Sequence, residues 1–285
     1  MSVRIITKLE LKAFETLEQS DLVRPYIVVA GTIQFVPTRK IAEIQSDQHE
    51  GNILDEWDGW LGSMACWHNR YNLGHEQPDV NPSEFHIELI EEVNPGFGDR
   101  LERRSDAFYL SLAGSSHLGN LKSLDEFVDG IVDRELAKHY VTLPLYLYDH
   151  GGITISTGPF GCPWDSGQVG FIYASHKQIR DHFGWKRLNK SRIERAYEVL
   201  KGEVETYDTF LRGDVWGFVV KKEAFNPLDE EWVTVEEDVD SCWGFYGHLG
   251  DPRLNGMDDC LEDDVNVAHN AVFDEFYDLA EHRAA

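Results

Sequence analysis

The sequence predicts an α+β fold, with an antiparallel or mixed central sheet and helices mainly on one face. Three observations predict it. Short β-branched and aromatic runs at 143–148 and 169–174 flank a polar, glycine-rich turn, the pattern of two strands of one sheet. The stretch 190–211 repeats its apolar residues every three or four positions, the period of a helix. Strands and helices mix without the strand–helix–strand regularity that builds a parallel sheet.

Taken in order, YIVVAGTIQFV (26–36) reads as one strand, followed by a basic tip at 37–40. Residues 63–74, SMACWHNRYNLG, form a corner dense in Cys, Trp, His, Arg and Tyr. Residues 85–92 fit a strand or a short helix, and AFYLSLA (107–113) fits a strand. Ser123 with Glu126 three residues later reads as a capping box, opening a helix whose apolar face runs from Leu124 to Leu136. Ser175 caps a short helix that Gly184 ends. A basic patch at 186–190 precedes the helix 190–211, which Gly213 stops. Segments 215–221 and 241–246 read as paired antiparallel strands joined by an acidic excursion, 223–240. Residues 265–282 read as a terminal helix. An N-terminal subdomain, 1–120, and a sheet-and-helix domain, 121–285, are one division; a single domain is the other.

Composition narrows the function. Hydrophobic residues make up 42% of the chain and aromatics 12%, enough for a sizeable core. The formal net charge is −25, from 51 acidic and 26 basic residues. Such a surface repels nucleic acid and anionic membrane, so direct binding to either is not expected. Solubility alone, a salt-rich cytoplasm and docking onto a basic protein all produce this composition. No secretory signal and no run of about 20 apolar residues appears, and four cysteines do not make a disulfide scaffold. The expectation is a cytoplasmic protein without a cofactor.

Two chemical constellations stand out. Cys162 lies on the Gly/Pro-rich turn, His150 ends the preceding strand, and Asp165 or Asp149 could orient the imidazole. A thiol nucleophile needs a base and an orienting group, and Gln168 or backbone N–H groups could serve an oxyanion. No nucleophile motif is matched, and the bland reading is a small buried thiol beside a hydrogen-bonded histidine. Cys66, His68 and Cys242 suggest a metal set, with Cys66 and His68 on one strand face, but no strong metal-binding spacing supports it. Glu203, Glu205 and Asp208 read as a solvated helix face.

The acidic blocks are the third constellation. Asp55, Glu56 and Asp58 form one. Asp229, Glu230, Glu231, Glu236, Glu237 and Asp238 form a second, with Trp232 as its anchor. Asp258, Asp259, Glu262, Asp263 and Asp264 form a third. Gathered on one side, these carboxylates could imitate a phosphate backbone and occupy a basic groove.

Four blocks carry a family resemblance: WDGWLGSMACWHNRYNLG (57–74), LPLYLYDHGGITISTGPFGCPWDSGQVGFIY (143–173), EVETYDTFLRGDVWGF (203–218) and DSCWGFYG (240–247). They resemble a family of uncharacterised acidic proteins borne by phages, prophages and plasmids. The resemblance spans roughly residues 55–250. It implies a mobile-element setting and, by association, an inhibitor of a host defence complex that handles nucleic acid. The expected partner is therefore a host protein complex with a basic surface, and homo-oligomerisation is compatible with that. An enzyme built on Cys162, His150 and Asp165 is the alternative.

Overall fold

The computed structural model describes residues 26–29, 32–47, 51–112, 117–226, 230–247, 255–261 and 265–267. The fold is α+β, with mostly antiparallel sheets. The chain divides into two compact units, residues 49–212 and residues 1–48 with 213–285. Residue 120 lies inside a helix of the first of these.

The 49–212 unit is built on four antiparallel strands: β4 (Ser63–Cys66), β5 (Tyr140–Asp149), β6 (Ile153–Ser156) and β7 (Ser166–Ser175), in the order β4-β7-β5-β6. Gly170 stands opposite Cys66, where a side chain has no room: a Cβ there would lie 2.0 Å from the Ala65 carbonyl oxygen. Successive side chains of a strand face opposite ways. On one face, Ala65 and Phe171 pack against Phe85, Leu89, Phe97, Leu101, Ile131 and Leu136. Those residues come from α2 (Pro82–Val93), α3 (Phe97–Ser111) and α4 (His117–Leu136). On the other face lies α6 (Lys190–Leu211), whose Leu200 and the strand's Ile172 both crowd Gly62. Between them in sequence, α1 (Ile53–Glu56) and α5 (His176–Phe183) are short.

The caps of α5 follow the sequence. Ser175 and Gln178 form a reciprocal capping box, and Gly184 ends α5 with a positive φ of 66°. Asn189 caps α6 by accepting from Arg192 N–H.

Several elements differ from expectation. Residues 107–113 were expected to be a strand, yet α3 runs to Ser111. The Glu91 carboxylate accepts from Gly96 and Gly98 N–H, both at 2.6 Å, and so caps that helix from outside. Phe108 then stacks on Phe127 of α4 at 4.1 Å, a contact the local sequence does not announce. Helix α4 begins before Ser123, so that serine is interior rather than a cap. Residues 85–92 resolve as helix, with Pro82 at its first turn and Asn81 as cap.

The other unit holds a hairpin, β1 (Tyr26–Val29) with β2 (Thr32–Phe35), where one strand was expected. Its second sheet has the order β10-β3-β8-β9, from β3 (Thr38–Ser46), β8 (Val215–Asn226), β9 (Glu231–Tyr246) and β10 (Val265–Val267). Strand β10 runs parallel to β3 and the other pairs are antiparallel. Ala42, Phe218, Val220 and Met257 form its core with Ile44, Trp216, Cys242, Phe245 and Leu261. Met257 comes from α7 (Asn255–Asp258). Residues 265–267 are strand, not the start of a helix, because they pair with Lys40, Ile41 and Ala42; the remainder of the expected terminal helix lies outside the described residues. The excursion expected at 223–240 is mostly strand, since β8 and β9 form one long hairpin. No described helix is long and apolar enough to cross a membrane.

Candidate functional site

The turns at the end of the 49–212 sheet bring together much of the polar chemistry expected there. Asp165 is the hub. Its Oδ2 lies 3.2 Å from His150 Nδ1 and accepts from the Cys162 thiol at 3.6 Å. The Asp149 N–H donates to the Asp165 carbonyl oxygen at 2.8 Å, which joins the two strand ends. A nucleophilic thiol is activated by a base or a cation beside the sulfur. Here the group beside the sulfur is an anion, and the imidazole reaches that anion rather than the thiol. Gln168, expected as an oxyanion donor, donates through Nε2 to the Gly170 carbonyl oxygen at 3.4 Å.

Asp149 belongs to a second network that sequence reasoning missed. Arg70 Nη1 donates to its Oδ2 at 2.8 Å, and the Tyr71 hydroxyl donates to both carboxylate oxygens at 3.1 and 3.2 Å. His68 supports this corner. Its Nδ1 accepts from the N–H groups of Arg70 and Tyr71, and its ring stacks on Tyr71 at 5.1 Å. The corner opens into a shallow groove of about 420 Å³, bordered by His68, Arg70, Asp149, Trp164 and Asp165. Trp164 is 91% exposed at its rim. The only sequence signal was the density of polar and aromatic residues in 67–71.

The expected metal set does not assemble. Among the described residues no group of three or more His, Cys, Asp or Glu side chains could hold an ion. Cys66 is fully buried at the end of β4, where burial pushes its thiol up to about 12. A thiol that resists ionisation is a poor ligand. His68 lies beyond β4, so the alternation argument for a shared face fails, and its Nδ1 is committed to backbone. Cys242, on β9, packs half-buried against the core of the other unit.

Two of the three carboxylates assigned to a solvated face of α6 are anchors instead. Glu203 accepts from Leu61 and Gly62 N–H. Asp208 accepts from Ile155 N–H at 2.8 Å and pairs with Arg212.

The acidic blocks fall in both units. Asp55, Glu56 and Asp58 are exposed on and after α1. Strand β9 carries Glu231, Glu236, Glu237, Asp238 and Asp240, all exposed, and no lysine or arginine. It ends the sheet, so one of its edges has no partner among the described strands. The register concentrates the charge. Val220 faces Asp240 and Lys222 faces Glu236, so three residues of β9, 237–239, stand against Lys221 alone. This bulge throws Glu237 and Asp238 outward, with Asp238 at a φ of 68°. Bulges and charges of this kind also keep an edge strand from pairing with another sheet. Lys221 and Lys222 temper the field, and Lys221 is bonded to Glu43 at 2.6 Å. Glu230, before the strand, is exposed at a φ of 54°.

Trp232 does not stand free as an anchor. Arg39 covers its ring at 4.3 Å and Phe225 meets it edge-on. The exposed aromatic of β9 is Trp243, which lies over Gly217. Asp259 is exposed; the side chain of Asp258 and all of Asp229, Glu262, Asp263 and Asp264 lie outside the described residues.

No protein-family model matches the chain, and neither a curated protein nor a solved structure matches it.

Proposed function

We propose that the chain is a binding protein that occupies a basic surface of a host protein, using the acidic bulge of β9. The observation that carries this reading is the concentration of five exposed carboxylates, without a cation, on the strand that ends its sheet. Exposed Val233, Val239 and Trp243 on the same strand supply apolar contacts that charge alone does not give. The family resemblance favours a target within a nucleic-acid-handling defence complex, met in the host cytoplasm. The acids would displace the nucleic acid from that complex by filling its basic groove. Nucleic acid itself is not a ligand in this account, and no cofactor is needed.

The alternative is an enzyme using Cys162, His150 and Asp165. In its favour, the thiol and imidazole reach one carboxylate at the edge of an open groove. Against it, the group beside the sulfur is the Asp165 carboxylate, an anion that opposes thiolate formation, and the imidazole reaches that carboxylate rather than the sulfur. Substitution separates the two readings. Glu236→Gln, Glu237→Gln, Asp238→Asn and Asp240→Asn together should abolish inhibition of the target, while Cys162→Ser and His150→Ala leave it intact. The reverse pattern would establish the enzyme.

A further inference from the structure

We propose that Cys242 and Cys260 form a reversible disulfide that ties the segment after α7 to strand β9. Cys242 sits opposite Phe218, half-buried in a cluster with Phe218, Met257 and Leu261. Cys260 is exposed, and its backbone N–H donates to the Met257 carbonyl oxygen at 3.1 Å, which fixes the turn that carries it. Met257 and Leu261, on either side of Cys260, are thus both seated in the cluster that holds Cys242. The pair belongs to one unit, so its approach depends on a single core. The other two thiols lack such a partner: Cys66 is fully buried and Cys162 contacts Asp165.

The oxidant is a low-molecular-weight disulfide such as oxidised glutathione. The exposed Cys260 thiolate attacks one sulfur of that disulfide, the S–S bond breaks, and one glutathione thiolate leaves. The Cys242 thiolate then attacks the Cys260 sulfur of the mixed disulfide and releases the second glutathione. Two protons pass to solvent, and two protein thiols have been oxidised while one disulfide is reduced. Loss of water around the Cys260 sulfur, then Cys242 and Asp259, push its thiol above the ordinary value. Exchange therefore speeds up as pH rises. Disulfides of this kind in a reducing compartment are transient and regulatory. Cys242 lies two residues from Asp240, so the bond would stiffen the strand that carries the acidic bulge. The inference does not depend on what that strand binds.

The test incubates the full chain with oxidised glutathione, alkylates the remaining thiols and reads intact mass and peptide map. The expected product is lighter by two hydrogens, carries Cys242 and Cys260 in one linked peptide pair, and reverts with a dithiol. Cys242→Ser should stop at a glutathione adduct on Cys260. Accumulation of that same adduct in the wild type, a Cys260-linked dimer, or two thiols that stay fully alkylatable would each overturn the proposal.

Discussion

The Glu203 carboxylate accepts hydrogen bonds from two consecutive backbone N–H groups, Leu61 at 2.5 Å and Gly62 at 3.0 Å. The contact joins the middle of α6 to the segment before β4. Gly62 permits it, because a Cβ there would meet Leu200 and Ile172 at under 3 Å. Burial outweighs the two N–H donors and holds the carboxyl above the usual Glu range.

Glu203→Ala should therefore destabilise the 49–212 unit far more than a change on a solvated helix face. Two buried N–H groups lose their acceptor, at about 1–3 kcal/mol each. Glu205→Ala, two positions on and on the exposed side, should change stability by less than about 0.5 kcal/mol. Urea unfolding of the two variants measures the difference, and equal midpoints would contradict the anchoring role.

Gly170→Ala should break the β4–β7 pairing. The added methyl would collide with the Ala65 carbonyl oxygen, which is backbone and cannot swing away. Overpacking of this kind costs about 1–3 kcal/mol or more. Hydrogen exchange at the Trp67 amide, which donates to the Val169 carbonyl oxygen, should accelerate. Unchanged protection there would show that the strands part more easily than their register suggests.

Acid should weaken the same unit before it reaches the carboxylate range. Loss of water holds the His75, His86 and His176 imidazoles below their ordinary value. Unfolded histidines take protons near pH ~6.5 while these folded ones do not, so stability is full above that pH and is lost as pH falls below it. His75 Nδ1 accepts from the buried Met64 N–H at 3.0 Å, which protonation would end. In His75→Asn the amide oxygen keeps an acceptor without the titration. The drop in unfolding midpoint between about pH 7.5 and about pH 5.5 should be smaller in that variant than in the wild type. Equal drops would remove His75 from the account.

Local signals were legible where the chain punctuates itself. Ser175 and Gly184 mark the ends of α5 because capping is a contact within a few residues. The strand pair around the glycine-rich turn was legible for the same reason, its apolar runs being long enough to carry the period. Helix α3 was not, since its cap is Glu91 and its stabilising ring is Phe127, neither of which belongs to the 107–113 window. Among the site residues, the meeting of Cys162, His150 and Asp165 could be anticipated from one turn. The Arg70–Tyr71–Asp149 network joins positions about 80 residues apart, and the bulge at 237–239 arises from register with β8. Neither leaves a pattern along the chain.

The most direct measurement compares two immobilised baits, the wild type and the Glu236→Gln, Glu237→Gln, Asp238→Asn, Asp240→Asn variant, against the protein that the wild type captures from the cells that produce the chain. Asn at 238 tolerates the left-handed backbone that Asp adopts there, so the strand should keep its bulge. The captured protein should bind the wild type with an affinity that falls as salt rises, compete with duplex DNA for it, and bind the neutralised variant at least roughly tenfold more weakly. Equal affinity for both baits, with binding lost instead in Cys162→Ser or His150→Ala, would contradict the account.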